Sequence, residues 1–386
     1  MKRKVVSVIL ATAMVASMVA GCGGSNNAST NNAGTTTDAA ASDASSDTSN
    51  DAAATEAADA GDAAADAATD ADASLADKKV GVCIYQFSDN FMTLFRTELE
   101  DYLVKLGFSK ENITIQDGQN DQATQSGQID NFITEGVDVM IVNPVNSSSA
   151  ATITDKVVAA NIPLVYINRE PDATEEQRWA DENMDVTYVG CDARQSGTFQ
   201  GEIIADLGLD AIDLNKNGKV DYIMVEGDPE NVDAQYRTEF SVKALEDAGL
   251  EVNCLTDQVG NWQQDQAQQI VANALGQYGN DVEVVFCNND AMAMGALQAI
   301  QSAGRTVGKD IYLVGVDALT EAVQNITDGK MTGTIKQDAE GMAEAIAFLT
   351  QNVAEGKAVM DGTDSYNISE NVSNKIYIPY AAYTGE

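Results

Sequence analysis

From Lys79 onward the chain alternates two kinds of apolar spacing. Short runs of consecutive apolar residues are separated by stretches in which apolar residues return every three or four positions. The runs predict strands buried on both faces; the longer spacing predicts amphipathic helices of about four turns. "KVGVCIY" precedes a helical pattern over 91–106 that Gly107 stops. "ITIQD" precedes a helix ending near Gly136, "DVMIVNP" one over 147–160, and "PLVYIN" closes the series. After a loop over 169–185 the rhythm restarts. "VTYVG" leads to a helix over 194–207 and "DYIMVEG" to one over 233–248; "EVNCL", "VEVVFCN", "IYLVGVD" and "MTGTIKQ" each lead to a further helix. Strands alternating with helices mean βαβ units and parallel sheets. The count is roughly twice what one open sheet of about five strands holds, so the pattern predicts an α/β fold of two doubly wound parallel-sheet lobes joined by a hinge. Ligands of such sheets bind beyond the carboxyl ends of the strands, and two facing lobes put both edges along one cleft.

The start of the chain departs from this rhythm. Lys2, Arg3 and Lys4 precede an apolar run over 5–20, and the small residues Val19-Ala20-Gly21 precede Cys22. This is a secretory signal over 1–21, too short and Ala-rich for a bilayer span. Its end resembles a bacterial lipobox, which implies cleavage before Cys22 and lipid on the Cys22 sulfur. Residues 23–77 hold eleven Asp or Glu, no Lys or Arg, and little but Ala, Ser, Thr, Asn and Gly besides. Such a stretch cannot build a core. Residues 22–77 are therefore expected to be a disordered acidic tether, spanning on the order of 40 Å, that holds a body off a membrane.

The net charge of −38 includes +3 from the cationic start and −11 from the tether, which leaves −30 on residues 78–386. A body this acidic repels phosphate backbones, so nucleic acid is excluded as a partner. There is no histidine, which removes the commonest general base. Cys83, Cys191, Cys254 and Cys287 lie in strand-like runs and are expected to be free, buried thiols.

Candidate chemistry collects at the predicted strand ends: Asp89, Asn90 and Phe91 after the first, Asn168 after "YIN", then Asp228, Asn231, Asp233, Arg237, Trp262, Asn288, Asn289, Asp290, Asp317, Gln337 and Asp338. Taken singly, Asn and Asp at such places are ordinary helix caps. Together they supply planar groups that grip neighbouring hydroxyls, while Phe91 and Trp262 suit the apolar faces of a ring. Hydroxyl edges and apolar faces describe a monosaccharide. No Gly-rich phosphate loop or Walker lysine is present. A second pattern, "DLNKNGKVD" over 213–221, places Asp213, Asn215, Asn217, the Lys219 carbonyl and Asp221 at calcium-loop spacing with Gly218 sixth, but position twelve is Met224.

Residues 78–386 resemble the bacterial periplasmic galactose/glucose-binding proteins, sugar-binding components of ABC importers, through "YQFSDNFM", "NREP", "VDAQYRT", "NNDAMAMGA", "GVDAL" and "GTIKQDA". The resemblance implies a binding protein rather than an enzyme or a DNA-binding repressor. It places D-galactose or D-glucose between Phe91 and Trp262, held by Asp89, Asn168, Asp233, Arg237, Asn289 and Asp317. Asn231 stands where the family has His, and Gln337 where it has Asn. For the loop it supplies Glu283 as the missing bidentate ligand, a structural Ca2+ with a ligand charge of −3. It also implies a lobe of 78–191 with 338–373, a lobe of 192–337 with 374–386, a monomer, an ABC permease as partner, and a chemoreceptor as an open second partner. A pentose or a signalling furanose is the alternative ligand.

Overall fold

The computed structural model describes residues 75–385; the signal segment, Cys22 and nearly all of the tether lie outside the described residues. The first lobe runs β1 (Val80–Ile84), α1 (Asn90–Lys105), β2 (Ile113–Asp117), α2 (Gln122–Glu135), β3 (Val139–Val142), α3 (Ala150–Ala159), β4 (Leu164–Ile167), α4 (Ala173–Asp181) and β5 (Val186–Gly190). The second runs α5 (Ala193–Ala205), α6 (Leu209–Ile212), β6 (Val220–Glu226), α7 (Val232–Asp247), β7 (Val252–Val259), α8 (Gln264–Tyr278), β8 (Val284–Cys287), α9 (Asp290–Ser302), β9 (Tyr312–Val314), α10 (Thr320–Thr327) and β10 (Thr334–Lys336). The chain then returns through α11 (Ala339–Ala354), β11 (Asn367–Ile368), β12 (Lys375–Tyr377) and β13 (Ala381–Tyr383).

β1, β3, β4, β5 and β8 are buried at every position, as parallel strands covered on both faces must be. The first sheet has the order β11-β12-β5-β4-β3-β1-β2, parallel except for β11 on β12. The second is β7-β6-β8-β9, all parallel. Bridges Val314–Gly333 and Asp317–Lys336 carry it on to β10, which pairs antiparallel with β13. In the second lobe α5 lies close against α7 because Gly201 carries no side chain: a Cβ there would stand 2.3 Å from the Ser241 carbonyl oxygen.

Three crossings join the lobes: after β5, after β10, and between β12 and β13. The last corrects the lobe boundary expected at 373/374. β12 pairs in parallel with β5, so Lys375–Tyr377 belongs to the first lobe and only β13 to the second. Two smaller expectations also change. Leu75 is buried in the core of the first lobe, so the folded body begins before residue 77. The loop expected over 169–185 contains α4.

Candidate functional site

The carboxyl ends of both sheets meet around a pocket with an empty volume of ≈ 320 Å³, open solvent included. All ten residues expected at the site line it: Asp89, Phe91, Asn168, Asn231, Asp233, Arg237, Trp262, Asn289, Asp317 and Gln337. Tyr85, Met92 and Arg169 complete the wall. Of the other strand-end candidates, Asn288 is fully buried and its Oδ1 accepts from Gly227 N at 2.9 Å. Asp290 Oδ1 accepts from Thr334 Oγ1 at 2.7 Å, and Asp338 pairs with Lys336 at 3.0 Å. Asn90 is exposed, and Asp228 reaches across the cleft to Arg169 at 3.2 Å. None of these five lines the cavity.

The cap reading and the site reading turn out to be the same for three residues. Asp89 Oδ1 accepts from Met92 N at 2.8 Å, Asn231 Oδ1 from Asp233 N at 2.9 Å, and Asn289 Oδ1 from Met292 N at 2.9 Å. Each fixes the first turn of a helix that starts at the cavity. Asp89 Oδ2 also accepts from the Tyr85 hydroxyl at 2.6 Å. Arg237 is held on three sides, donating to Asn288 O at 2.8 Å, to Gln337 Oε1 at 2.9 Å and to the Tyr380 hydroxyl at 2.9 Å. Asp233 stands 3.9 Å from it.

Several polar atoms at this wall are buried without a hydrogen-bond partner: Asp233 Oδ1, Arg237 Nε and Trp262 Nε1. Burying such atoms unpaired is costly, so a wall that keeps them is built for a polar occupant. Backbone strain collects here too. Trp262 has φ 65° and Asp317 φ 122°, positions that non-glycine residues rarely adopt and that cluster at functional sites. Gly227 accommodates the indole, since a Cβ there would lie 2.2 Å from it.

Burial pushes the Asp233 carboxyl up to about 6, against the opposing pull of Arg237. Burial likewise raises Asp290 to about 7 and lifts Asp317 well above the carboxylate range. Each group binds its proton more tightly folded than unfolded, where the value is 3.8. Between about pH 4 and 7 the folded chain therefore holds more protons, and stability rises as pH falls through that window. The ligand-free protein is expected to melt higher at pH 5.5 than at pH 7.5; a lower midpoint at pH 5.5 would contradict this.

A family profile for the periplasmic binding protein domain matches residues 80–358. The D-galactose/methyl-galactoside binding periplasmic protein of Haemophilus influenzae is 36% identical over 312 residues, 79% of this chain and 89% of that one. The chain belongs to the periplasmic binding protein family. It is an extracytoplasmic solute-binding protein of the ABC-importer type, not an enzyme. A putative rhizopine-binding protein of Rhizobium meliloti is 33% identical over 79% of this chain and 89% of its own length. An ABC transporter solute-binding protein from Bacillus halodurans, solved with bound myo-inositol, superposes with a TM-score of 0.67 at 26% identity, covering 81% of this chain and 96% of that one. The two-lobed parallel-sheet architecture is this family's type I fold.

The loop at 213–221 lies at the far end of the second lobe's sheet. Parallel pairing of β6 with β8 sets Tyr222 beside Val284 and so brings Glu283 against Asp221. Glu283 Oε1 accepts from Leu214 N at 2.6 Å and from Asn215 N at 3.2 Å, and Oε2 from Asp221 N at 3.0 Å. Asn215 and Asn217 both donate to Asp221 Oδ2 at 2.6 Å, and Asp213 accepts from Asn217 N and Gly218 N at 2.9 Å each. Lys219 N donates to Asn217 Oδ1 at 2.8 Å. Among the described residues no three carboxylates or thiols converge closely enough to hold an ion unaided; the two amides would have to contribute oxygens. Glu283 is wholly buried, with its pKa raised by burial.

Cys83, Cys191, Cys254 and Cys287 are free. Three are buried as expected, but Cys254 is exposed, because β7 is the edge strand of its sheet. Tyr85 and Arg169 were not among the expected site residues. Both stand inside motifs that carried the resemblance, "YQFSDNFM" and "NREP".

Proposed function

We propose that this protein binds D-galactose or D-glucose in the interlobe cavity and delivers it to an ABC permease. One observation carries the reading: an interlobe pocket whose wall combines Phe91 and Trp262 with planar acids, amides and the guanidinium groups of Arg169 and Arg237, and keeps Asp233 Oδ1, Arg237 Nε and Trp262 Nε1 unpaired. Fixed donors and acceptors suit ring hydroxyls, and the two aromatic faces suit a pyranose. The absence of an unpaired cation among the described lining residues disfavours sugar phosphates. The galactoside-binding relative at 36% identity supports the same ligand class.

The lobes act as jaws. Ligand contacts from both sides stabilise the closed arrangement over an open one, and the Arg169–Asp228 pair ties the lobes at 3.2 Å. The test is intrinsic fluorescence under a panel of D-galactose, D-glucose, D-xylose, L-arabinose and D-ribose. A saturable change with a hexose, at lower concentration than with any pentose, is expected. Response to pentoses alone would transfer the reading to the alternative ligands.

The loop is read as a structural Ca2+ site with Asp213, Asn215, Asn217, the Lys219 carbonyl, Asp221 and Glu283 as ligands. Support comes from two adjacent buried carboxylates, Asp221 and Glu283, that have no lysine or arginine partner within ion-pair distance among the described residues. Calcium would supply the missing positive charge and pin the loop to β8. Chelator is expected to lower the melting midpoint by about 5 °C or more, with excess Ca2+ restoring it. An unchanged midpoint would count against the ion. Cys22, finally, is read as the lipid attachment point; palmitate labelling lost in Cys22→Ala checks it.

A further inference from the structure

Beside the first pocket the cleft holds a second, solvent-open one, with an empty volume of ≈ 690 Å³, open solvent included. Tyr85, Arg169 and Trp262 line both, so one layer of side chains separates them. The partition is built around Arg169, one of whose contacts spans the lobes. The Arg169 guanidinium lies 3.7 Å from the centre of the Tyr85 ring, donates to Val145 O at 2.6 Å and pairs with Asp228 of the opposite lobe.

The outer chamber has the same chemistry as the inner one. Gln122 Oε1 accepts from Asn146 N at 3.1 Å and from Ser149 Oγ at 2.9 Å. These two bonds fix the amide and leave Gln122 Nε2 buried with no partner. Asn146 makes no side-chain hydrogen bond among the described residues, and Glu230 forms no ion pair among them. Tyr85 and Trp262 line the chamber on its inner side. The chamber's one lining cation, Arg169, is already paired, whereas Asp121 and Glu230 add negative charge. An anionic occupant is disfavoured; a neutral polyhydroxyl one matches.

We propose that the outer chamber is a second sugar subsite, and that the protein accepts a neutral disaccharide with one ring in the inner cavity and its second ring beside Asn146 and Glu230. This rests on the inner cavity holding a monosaccharide. Passage of the linkage requires the Arg169–Asp228 pair to shift aside, and Asp228 is the partner free to move, its side chain being 23% exposed against 3% for Arg169.

Isothermal titration of the full chain tests this with D-galactose, D-glucose, methyl β-D-galactoside, lactose, melibiose and cellobiose. The same titrations are run on Asn146→Phe, which fills the chamber without touching the inner wall, and on Glu230→Ala. The expected result is one-to-one binding of at least one disaccharide, within about tenfold of its parent hexose. Asn146→Phe should weaken that disaccharide tenfold or more, and Glu230→Ala about threefold, the loss of one modest hydrogen bond. Hexose affinity should be unchanged in both variants, which also shows that they fold. Hexose binding with no disaccharide binding overturns the subsite and leaves the proposed function intact. Disaccharide binding unaffected by Asn146→Phe overturns it as well. Absence of binding by every sugar overturns both readings.

Discussion

Replacing Arg237 with methionine is expected to abolish sugar binding and to destabilise the fold by about 3–5 kcal/mol, the usual consequence of removing one partner from a buried charge pair. Arg237 is 3% exposed. Its loss strands Asn288 O, Gln337 Oε1 and the Tyr380 hydroxyl and leaves Asp233 with Arg169 as its remaining cationic neighbour. Tyr380 lies on the third crossing between β12 and β13, so the same guanidinium ties the binding wall to the hinge. Asp233 would answer by keeping its proton to still higher pH. Asp233→Asn placed on top of Arg237→Met should therefore recover part of the stability but none of the binding. Denaturant unfolding and titration calorimetry read both effects. A variant with unchanged stability and affinity within tenfold of the parent would remove Arg237 from its role.

Trp262→Ala is expected to weaken hexose binding by at least about 30-fold, the scale of a central aromatic anchor worth about 2 kcal/mol or more. The indole is 9% exposed, sits in a strained left-handed position and presses on Gly227. That is an arrangement the backbone adopts to present a flat face rather than to fill a core. The variant also isolates the other tryptophan. Trp179 is fully buried, stacks on Tyr166 at 5.2 Å and donates to Glu175 Oε1 at 2.6 Å within the first lobe. Its emission should stay unchanged on adding sugar to Trp262→Ala. A sugar-dependent signal from Trp179 alone would mean that closure reorganises the first lobe as well as the cleft.

The strands were legible because a parallel sheet covered on both sides demands unbroken apolar runs, and "VGVCI", "VMIV" and "VVFC" supply them. The ten residues that line the cavity were among fifteen candidates that the strand ends offered, and the family resemblance separated them from the five that do not line it. What the chain concealed depends on partners distant in sequence. α4 reads as a polar loop, since its buried side chains include Glu175 and Glu176 as well as Trp179. Glu176 is accommodated by Lys375, 199 residues away, at 2.7 Å. Cys254 looks like a core thiol until the sheet order puts β7 at the edge. The placement of β12 is likewise decided by pairing with β5 and not by its place in the chain. Arg169 carried no signal of its own, because its role needs Tyr85 beneath it and Asp228 across the cleft. The outer chamber, made from both lobes, had no local signature at all.

The most direct test is a crystal structure with D-galactose. One pyranose is expected between Phe91 and Trp262, with its hydroxyls on Asp233, Arg237 and their neighbours and with the Trp262 indole still against Gly227. An empty cleft at saturating sugar, or a ring seated away from both aromatic faces, would contradict it.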